Sequence, residues 1–206
     1  MTTSQEYWNQ IYTDKLSNEV SWFQNEPLTS LNLITSISNS HSSVIDIGAG
    51  ASMLIDELVS IGYEDLTILD AAPAALLQVQ SRLGSSADTI EFIPADITSW
   101  TPRRHYDVWH DRAVFHFMTT EKSRSNYLSS MDRAVGIDGH VVLATFSEDG
   151  PETCSRLPVR RYTIEELVSV VGSGFQLISS QREVHTTPWG APQPFNWVVL
   201  RRNARS

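Results

Sequence analysis

The sequence predicts a doubly wound α/β fold: a mostly parallel sheet with helices on both faces and an antiparallel strand pair at its end. Three observations carry that expectation. Short apolar runs alternate with segments of helical spacing. The first run closes on a Gly-Ala-Gly turn that feeds a helix, and the last two runs are joined by a turn-rich stretch with no helical pattern.

Taken in order, Ser43 to Ile47 reads as a buried strand closed by Gly48-Ala49-Gly50. Met53, Leu54, Leu58 and Ile61 recur at helical spacing, and Gly62 stops that helix. Leu66 to Leu69 is a second strand, followed by a helix from Pro73 to Leu83 whose first turn tolerates the missing proline N–H. Ile90 to Ile93 and Tyr106 to Trp109 are the third and fourth strands. A helix from Thr120 to Val135 ends in Gly136, and Gly139 to Phe146 is the fifth strand. Thr163-Ile164-Glu165-Glu166 has the form of a capping box opening another helix. Phe175 to Ile178 and Phe195 to Leu200 supply the final pair. The first 40 residues, with Trp8, Tyr12, Trp22 and Phe23, read as a helical cap on a single domain spanning 1–206.

The 206 residues are 41% hydrophobic and 19% charged, which suits a folded core and not a disordered chain. The net charge of −9 argues against nucleic acid and anionic membrane surfaces as partners. No apolar run approaches the roughly 20 residues of a membrane span, and the polar start MTTSQEYWNQ contains no signal core. The single cysteine, Cys154, has no partner for an intramolecular disulfide. His105, His110 and His116 lack the i, i+4 spacing of metal ligands, so no metal site is expected. Together these features predict a cytoplasmic protein of a reducing compartment.

In a doubly wound sheet ligands bind beyond the carboxyl ends of the strands. There the glycine turn lets a ligand approach the backbone, and Asp46, Asp70 and Asp96 put carboxylates on three consecutive strands. Asp70 is placed to accept from the hydroxyls of a ribose, and Asp96 from an adenine amino group. A dinucleotide fingerprint calls for a third glycine at position 53, which Met53 occupies. A nucleoside ligand other than NAD is therefore favoured, and a non-catalytic nucleoside- or NAD-binding protein stays as a further reading.

The ordered segments VIDIGAGAS, LTILDAA, PADI and YDVWHDRAVFHFM resemble the motifs of class I S-adenosylmethionine-dependent methyltransferases. Glu6-Tyr7-Trp8-Asn9-Gln10-Ile11-Tyr12 and Ser21-Trp22-Phe23 are similar to the branch containing the elongation-factor lysine methyltransferases. The resemblance implies a Rossmann-like fold and S-adenosylmethionine as cofactor, with S-adenosylhomocysteine as its product. It implies that Gly48 lines the methionine part, that Asp70 holds the ribose and that Asp96 and Ile97 frame the adenine, with Asp46, Ala49, Gly50, Ala71 and Arg112 also among the cofactor-binding residues. Trp8, Tyr12 and Trp22 would close the pocket, where aromatic faces attract a sulfonium by roughly 0.5–2 kcal/mol. The same tryptophan and tyrosine also have the i, i+4 spacing that docks a helix on a core.

Methyl transfer from a sulfonium depends chiefly on positioning. Where the acceptor carries a proton, His116, Asp111 or His110 is a candidate to remove it. Arg112 is a candidate for the cofactor's carboxylate or a scaffold ion pair. The loop from Ser147 to Tyr162 reads as a substrate lid, in which Cys154 packs and Arg156 and Arg160 receive an anionic acceptor. The related lysine enzymes carry an acidic residue and then Lys-Gly-Thr where this chain has Asp111-Arg112-Ala113-Val114. A small-molecule acceptor is thus the leading reading and a protein lysine the alternative.

Overall fold

The computed structural model describes residues 4–14 and 19–204. Five parallel strands form one side of a seven-stranded sheet: β1 (Ser43–Ile47), β2 (Asp65–Asp70), β3 (Ile90–Pro94), β4 (Tyr106–Arg112) and β5 (Val135–Phe146). A long ribbon, β8 (Phe175–Thr186) and β9 (Pro192–Arg202), completes it in the order β3-β2-β1-β4-β5-β9-β8. β9 runs antiparallel to both neighbours. The expected architecture is therefore present, as the class I methyltransferase type of Rossmann-like sheet. The strand order reverses between β1 and β4, and loops leaving these two strands diverge to open a crevice.

The helices are α1 (Ser4–Asp14), α2 (Leu28–Ile37), α3 (Leu54–Ser60), α4 (Pro73–Leu83), α5 (Glu121–Ala134) and α6 (Ile164–Val171). Alternation along each strand sorts side chains into two cores. Val44, Val108, Val142 and Trp197 pack with Ile34 of α2 and Leu54 and Leu58 of α3. Their neighbours Ile45, Trp109, Leu143 and Val198 pack on the other face with Tyr127 and Met131 of α5 and Leu167 of α6. The Thr163/Glu166 capping box opens α6 as predicted, and a second box at Thr120/Ser123 opens α5.

Several boundaries differ from the expectation. β4 continues three residues past Trp109, so His110, Asp111 and Arg112 are strand residues and alternate between faces. β5 starts at Val135, and Gly136 lies inside it instead of stopping the helix. β8 is three times and β9 about twice its predicted length, so the pair forms a long antiparallel ribbon. The loop after β5 contains a small hairpin of β6 (Thr153–Cys154) and β7 (Leu157–Pro158).

Polar pairs explain why β4 carries charge into the core. His110 Nδ1 meets Asp46 Oδ1 at 2.6 Å and its Nε2 meets Ser30 Oγ at 3.0 Å. Asp111 is fully buried and accepts from the Val114 and Phe115 N–H groups and from the Tyr127 hydroxyl. Trp109 Nε1 in turn donates to Tyr127 at 3.0 Å. Trp109, His110 and Asp111 thus gain the partners that make their desolvation tolerable.

In the described part of the first 40 residues the chain forms α1 and α2. The Asn9 side chain of α1 accepts from Ala74 N at 2.9 Å, capping α4, whose own Ala72 has no side chain to do so. The Tyr12 carbonyl accepts from Gln78 Nε2 at 2.7 Å. Gly50 makes the close approach of α1 possible. Its φ is 55°, and a Cβ there would lie 2.1 Å from the Tyr12 hydroxyl oxygen.

Two outcomes follow from this docking. Asn9→Ala should lower stability by about 0.5–2 kcal/mol, the usual cost of a lost cap, when measured by chemical denaturation. It should also raise hydrogen exchange in the first turn of α4. Gly50→Ala should cost about 1–2 kcal/mol from the left-handed backbone alone, with a further loss from the Tyr12 clash. Adding Tyr12→Phe should recover part of that further loss, so the double variant should be more stable than the sum of the single changes implies.

Candidate cofactor and acceptor pocket

The crevice beyond β1, β2 and β4 encloses about 760 Å³ of empty space, its open mouth included. Its floor is the glycine turn. Gly48 N and Ala49 N both donate to Leu69 O, at 2.7 and 3.3 Å, which fastens the turn to the end of β2. Gly48 has a φ of 62°, and a Cβ there would fall 2.0 Å from Val114 Cγ2. A glycine is required at this place because the loop after β4 packs directly on the turn.

Asp70, at the end of β2, is buried and accepts from Gly50 N at 2.8 Å and from Ala72 N at 2.7 Å. Burial raises its pKa to about 6 against the lowering effect of those bonds. A carboxylate has about four lone-pair sites, so these two bonds leave acceptor capacity facing the pocket it lines. Asp96 uses Oδ1 to accept from the Thr98 N–H and hydroxyl, at 2.8 and 2.7 Å. Ala71, Asp96 and Ile97 line the same end of the pocket as Asp70.

Aromatic rings form a further part of the lining. Trp8 meets Trp22 edge-on at 5.9 Å and Phe117 at 5.1 Å, and Trp22 Nε1 donates to the Tyr12 hydroxyl at 3.2 Å. The Tyr7 hydroxyl donates to the Ser155 carbonyl, joining α1 to the β6–β7 hairpin. Trp8 and Tyr12 from α1 and Cys154 from the hairpin therefore enclose one space.

Of the residues expected to hold a cofactor, Trp8, Tyr12, Trp22, Gly48, Asp70, Ala71, Asp96, Ile97 and Arg112 line this pocket. Asp46 and Ala49 do not. They line a smaller adjoining cavity with His110 and Ser30, which shares Tyr12, Trp22, Gly48 and Arg112 with the first. Gly50 lines neither and acts through its bond to Asp70 and its contact with Tyr12.

The three candidate bases are not placed at the pocket. Asp111 spends its oxygens on three donors inside the protein, and His110 is held between Asp46 and Ser30. His116 is wholly buried between Phe117 and Phe146, with ring centroids 4.5 and 4.7 Å away. Burial, then the charge of Arg112, pushes its pKa down to about 3, so it is neutral. The two arginines expected to receive an anion also point elsewhere. Arg156 is exposed at the left-handed turn of the hairpin, and exposed Arg160 lies over the Tyr162 ring at 4.9 Å.

Val114, Phe117 and Met118 line the pocket without having been singled out for it. They reach it because Ala113 adopts a left-handed φ of 75°, which folds the chain back over the turn. Such a conformation costs about 1–3 kcal/mol, and the two Asp111 bonds to the next amides hold it in place. The sequence carries a trace of this in Asp111, an acceptor three residues before Val114, but contains no glycine to mark the turn.

A family model described as a methyltransferase domain matches residues 44–139. Among curated proteins, the chain is 20% identical over 152 residues to malonyl-[acyl-carrier protein] O-methyltransferase 1 of Ilyobacter polytropus, covering 68% of this chain and 55% of that protein. It is 23% identical over 140 residues to the eEF1A lysine and N-terminal methyltransferase of Mus musculus, covering 68% of this chain and 20% of that one. The chain thus matches about half or less of these relatives' lengths. Among solved structures it is similar to the N-methyltransferase NodS of Bradyrhizobium japonicum in complex with S-adenosylhomocysteine. The TM-score is 0.73 at 17% identity, covering 96% of this chain and 99% of that one. It is likewise similar to the 1,6-didemethyltoxoflavin-N1-methyltransferase of Burkholderia thailandensis, at TM-score 0.69 and 17% identity, covering 98% and 84%. Residues 44–139, which carry the glycine turn, Asp70, Asp96 and Arg112, thus match a methyltransferase-domain model, and the chain shares the fold of these solved methyltransferases.

Proposed function

We propose that this chain is an S-adenosylmethionine-dependent methyltransferase of small-molecule acceptors, acting as one domain with residues 1–40 as the cap over the cofactor. The observation that carries this reading is a single pocket lined by both the strand-end carboxylates Asp70 and Asp96 and the aromatic rings of Trp8, Tyr12 and Trp22. Asp70 would accept from the ribose hydroxyls, Ile97 would pack on the adenine, and Asp96 would accept from its amino group. Trp8, Tyr12 and Trp22 present aromatic edges and faces to the region where a sulfonium would lie.

When bound, S-adenosylmethionine supplies an electrophilic methyl group to a nucleophile placed in line with it. The chain's own contribution is to hold both partners and to exclude water beneath α1 and the β6–β7 hairpin. The toxoflavin enzyme and the malonyl-carrier enzyme support a small acceptor by likeness. The eEF1A enzyme supports a protein acceptor as the second reading. A cytoplasmic location fits the lone cysteine thiol, and none of the described helices is long and apolar enough to cross a membrane.

Calorimetric titration with S-adenosylhomocysteine, beside NAD, tests the cofactor. Micromolar binding of the first and none of the second is expected, and Asp70→Ala should weaken binding by about tenfold or more, the worth of charge-assisted hydrogen bonds. The pH dependence has a definite sign. The ionised Asp70 carboxylate is the acceptor and its pKa is near 6, so affinity should be flat above that pH and fall below it, by at most about tenfold per pH unit. A preference for NAD would overturn the reading. Labelled methyl groups from S-adenosylmethionine should then appear in a small-molecule extract; their appearance in protein alone would favour the second reading.

A further inference from the structure

The Arg112 side chain is the one polar group at the pocket whose hydrogen bonding the fold leaves unfinished on a whole edge. Nη1 donates to the Trp22 carbonyl at 2.9 Å. Nε and Nη2 are shielded from solvent and have no hydrogen-bond partner among the described residues. Those two nitrogens form one edge of the guanidinium plane, the edge whose parallel N–H groups match the two oxygens of a carboxylate. Unpaired buried donors of a charged group cost about 1–3 kcal/mol each or more, so the arrangement suits a state in which an anion is present.

The groups around Arg112 come from the side of the sheet away from Asp70 and Asp96. Its guanidinium carbon lies 4.8 Å from the centre of the Phe195 ring on β9. The charges that act on it are those of Glu183 on β8 and Cys154 in the hairpin, and it acts in turn on His116 and His185. Glu183 is not its hydrogen-bond partner. That carboxylate accepts from Trp197 Nε1 at 2.9 Å, Thr29 Oγ1 at 3.0 Å and Gln24 Nε2 at 3.2 Å. Cys154 is held as a thiol, its pKa pushed up to about 11 by burial, and neutral His116 offers no charge.

Resting on the reading that the pocket holds S-adenosylmethionine, we propose that Arg112 binds the acceptor, and that the acceptor is a small carboxylate methylated on oxygen. Two further observations fit. None of His110, Asp111 and His116 lines the pocket, which leaves no side chain among them to deprotonate an amine or alcohol. A carboxylate needs no such base. A sulfonium and a guanidinium enclosed together also repel, and an anion between them removes that cost. One carboxylate oxygen forms a bond to the methyl carbon as the methyl–sulfur bond breaks, the electron pair staying on sulfur. The products are a neutral ester and a neutral thioether, with no proton released. Charge is cancelled in that step, so the apolar walls of Val114, Phe117 and Met118 favour it.

The test uses the full chain saturated with S-adenosylhomocysteine and titrated by calorimetry with benzoate and benzamide, then with propionate and propionamide. Each carboxylate should bind about tenfold or more tightly than its amide, as charge-assisted bonds predict. Arg112→Gln should erase that preference while binding S-adenosylhomocysteine within about threefold of wild type. Arg112→Lys, which keeps the charge and loses the fork, should retain only part of it. Amides binding as well as carboxylates to the wild type would overturn the proposal, and that comparison stands even if Arg112→Gln does not fold. A loss of S-adenosylhomocysteine binding in folded Arg112→Gln or Arg112→Lys would also overturn it, assigning the arginine to the cofactor's own carboxylate. Failure of the wild type to bind S-adenosylhomocysteine would be seen before any carboxylate is added. It would defeat the cofactor reading and this proposal with it.

Discussion

The buried carboxylate of Asp70 is the contact on which the pocket's shape depends. By accepting from Gly50 on one side and Ala72 on the other, it ties the turn after β1 to the entrance of α4. The same turn is anchored to the carbonyl of Leu69 by two amides. Because α4 is fixed there, Asn9 and Tyr12 have a rigid surface on which to seat α1, and α1 brings Trp8 over the crevice. Holding a carboxylate out of water for this purpose is expensive, and its raised pKa records that expense. The acceptor capacity left over on Asp70 is what the proposed ribose recognition would use.

The sheet spreads its polar groups between two tasks. On β4, His110 and Asp111 point to opposite faces and are satisfied inside the protein, binding β1 to α2 and the loop after β4 to α5. Their neighbour Arg112 is finished only in part. Three consecutive ionisable residues on a central strand therefore combine two structural pairs with one group facing a cavity. The distinction lies in the partners each finds across the sheet, not in residue type.

Much of this was legible in the amino-acid sequence, and the limits have physical causes. β1, β2 and β3 read to within a residue because each is a short, mostly apolar run closed by glycine, proline or aspartate. β4 was cut short because His110, Asp111 and Arg112 look like surface, whereas their burial is set by Asp46, Ser30, Tyr127 and Trp22, all distant in sequence. Asp70 and Asp96 were visible since a strand-end carboxylate beside a glycine turn has few other uses. Val114, Phe117 and Met118 were not, because their approach depends on a left-handed alanine that no local pattern announces. Arg156 and Arg160 show the converse error: proximity along the chain to a lid says nothing about which way a hairpin turns its side chains.

The placement of β9 between β5 and β8 has a consequence for how the chain is built. β8 pairs with β9 alone, and β9 is synthesised after it. As the chain leaves the ribosome, the five parallel strands can assemble while β8 has no ladder to join, with Leu177, Ile178 and Val184 on a strand whose surface stays largely open even at the end. Non-local strands of this kind form slowly and leave unpaired edges open to other chains in the interval. The eleven-residue β9 thus closes the sheet between β5 and β8 and also ends the interval in which β8 is most exposed to self-association.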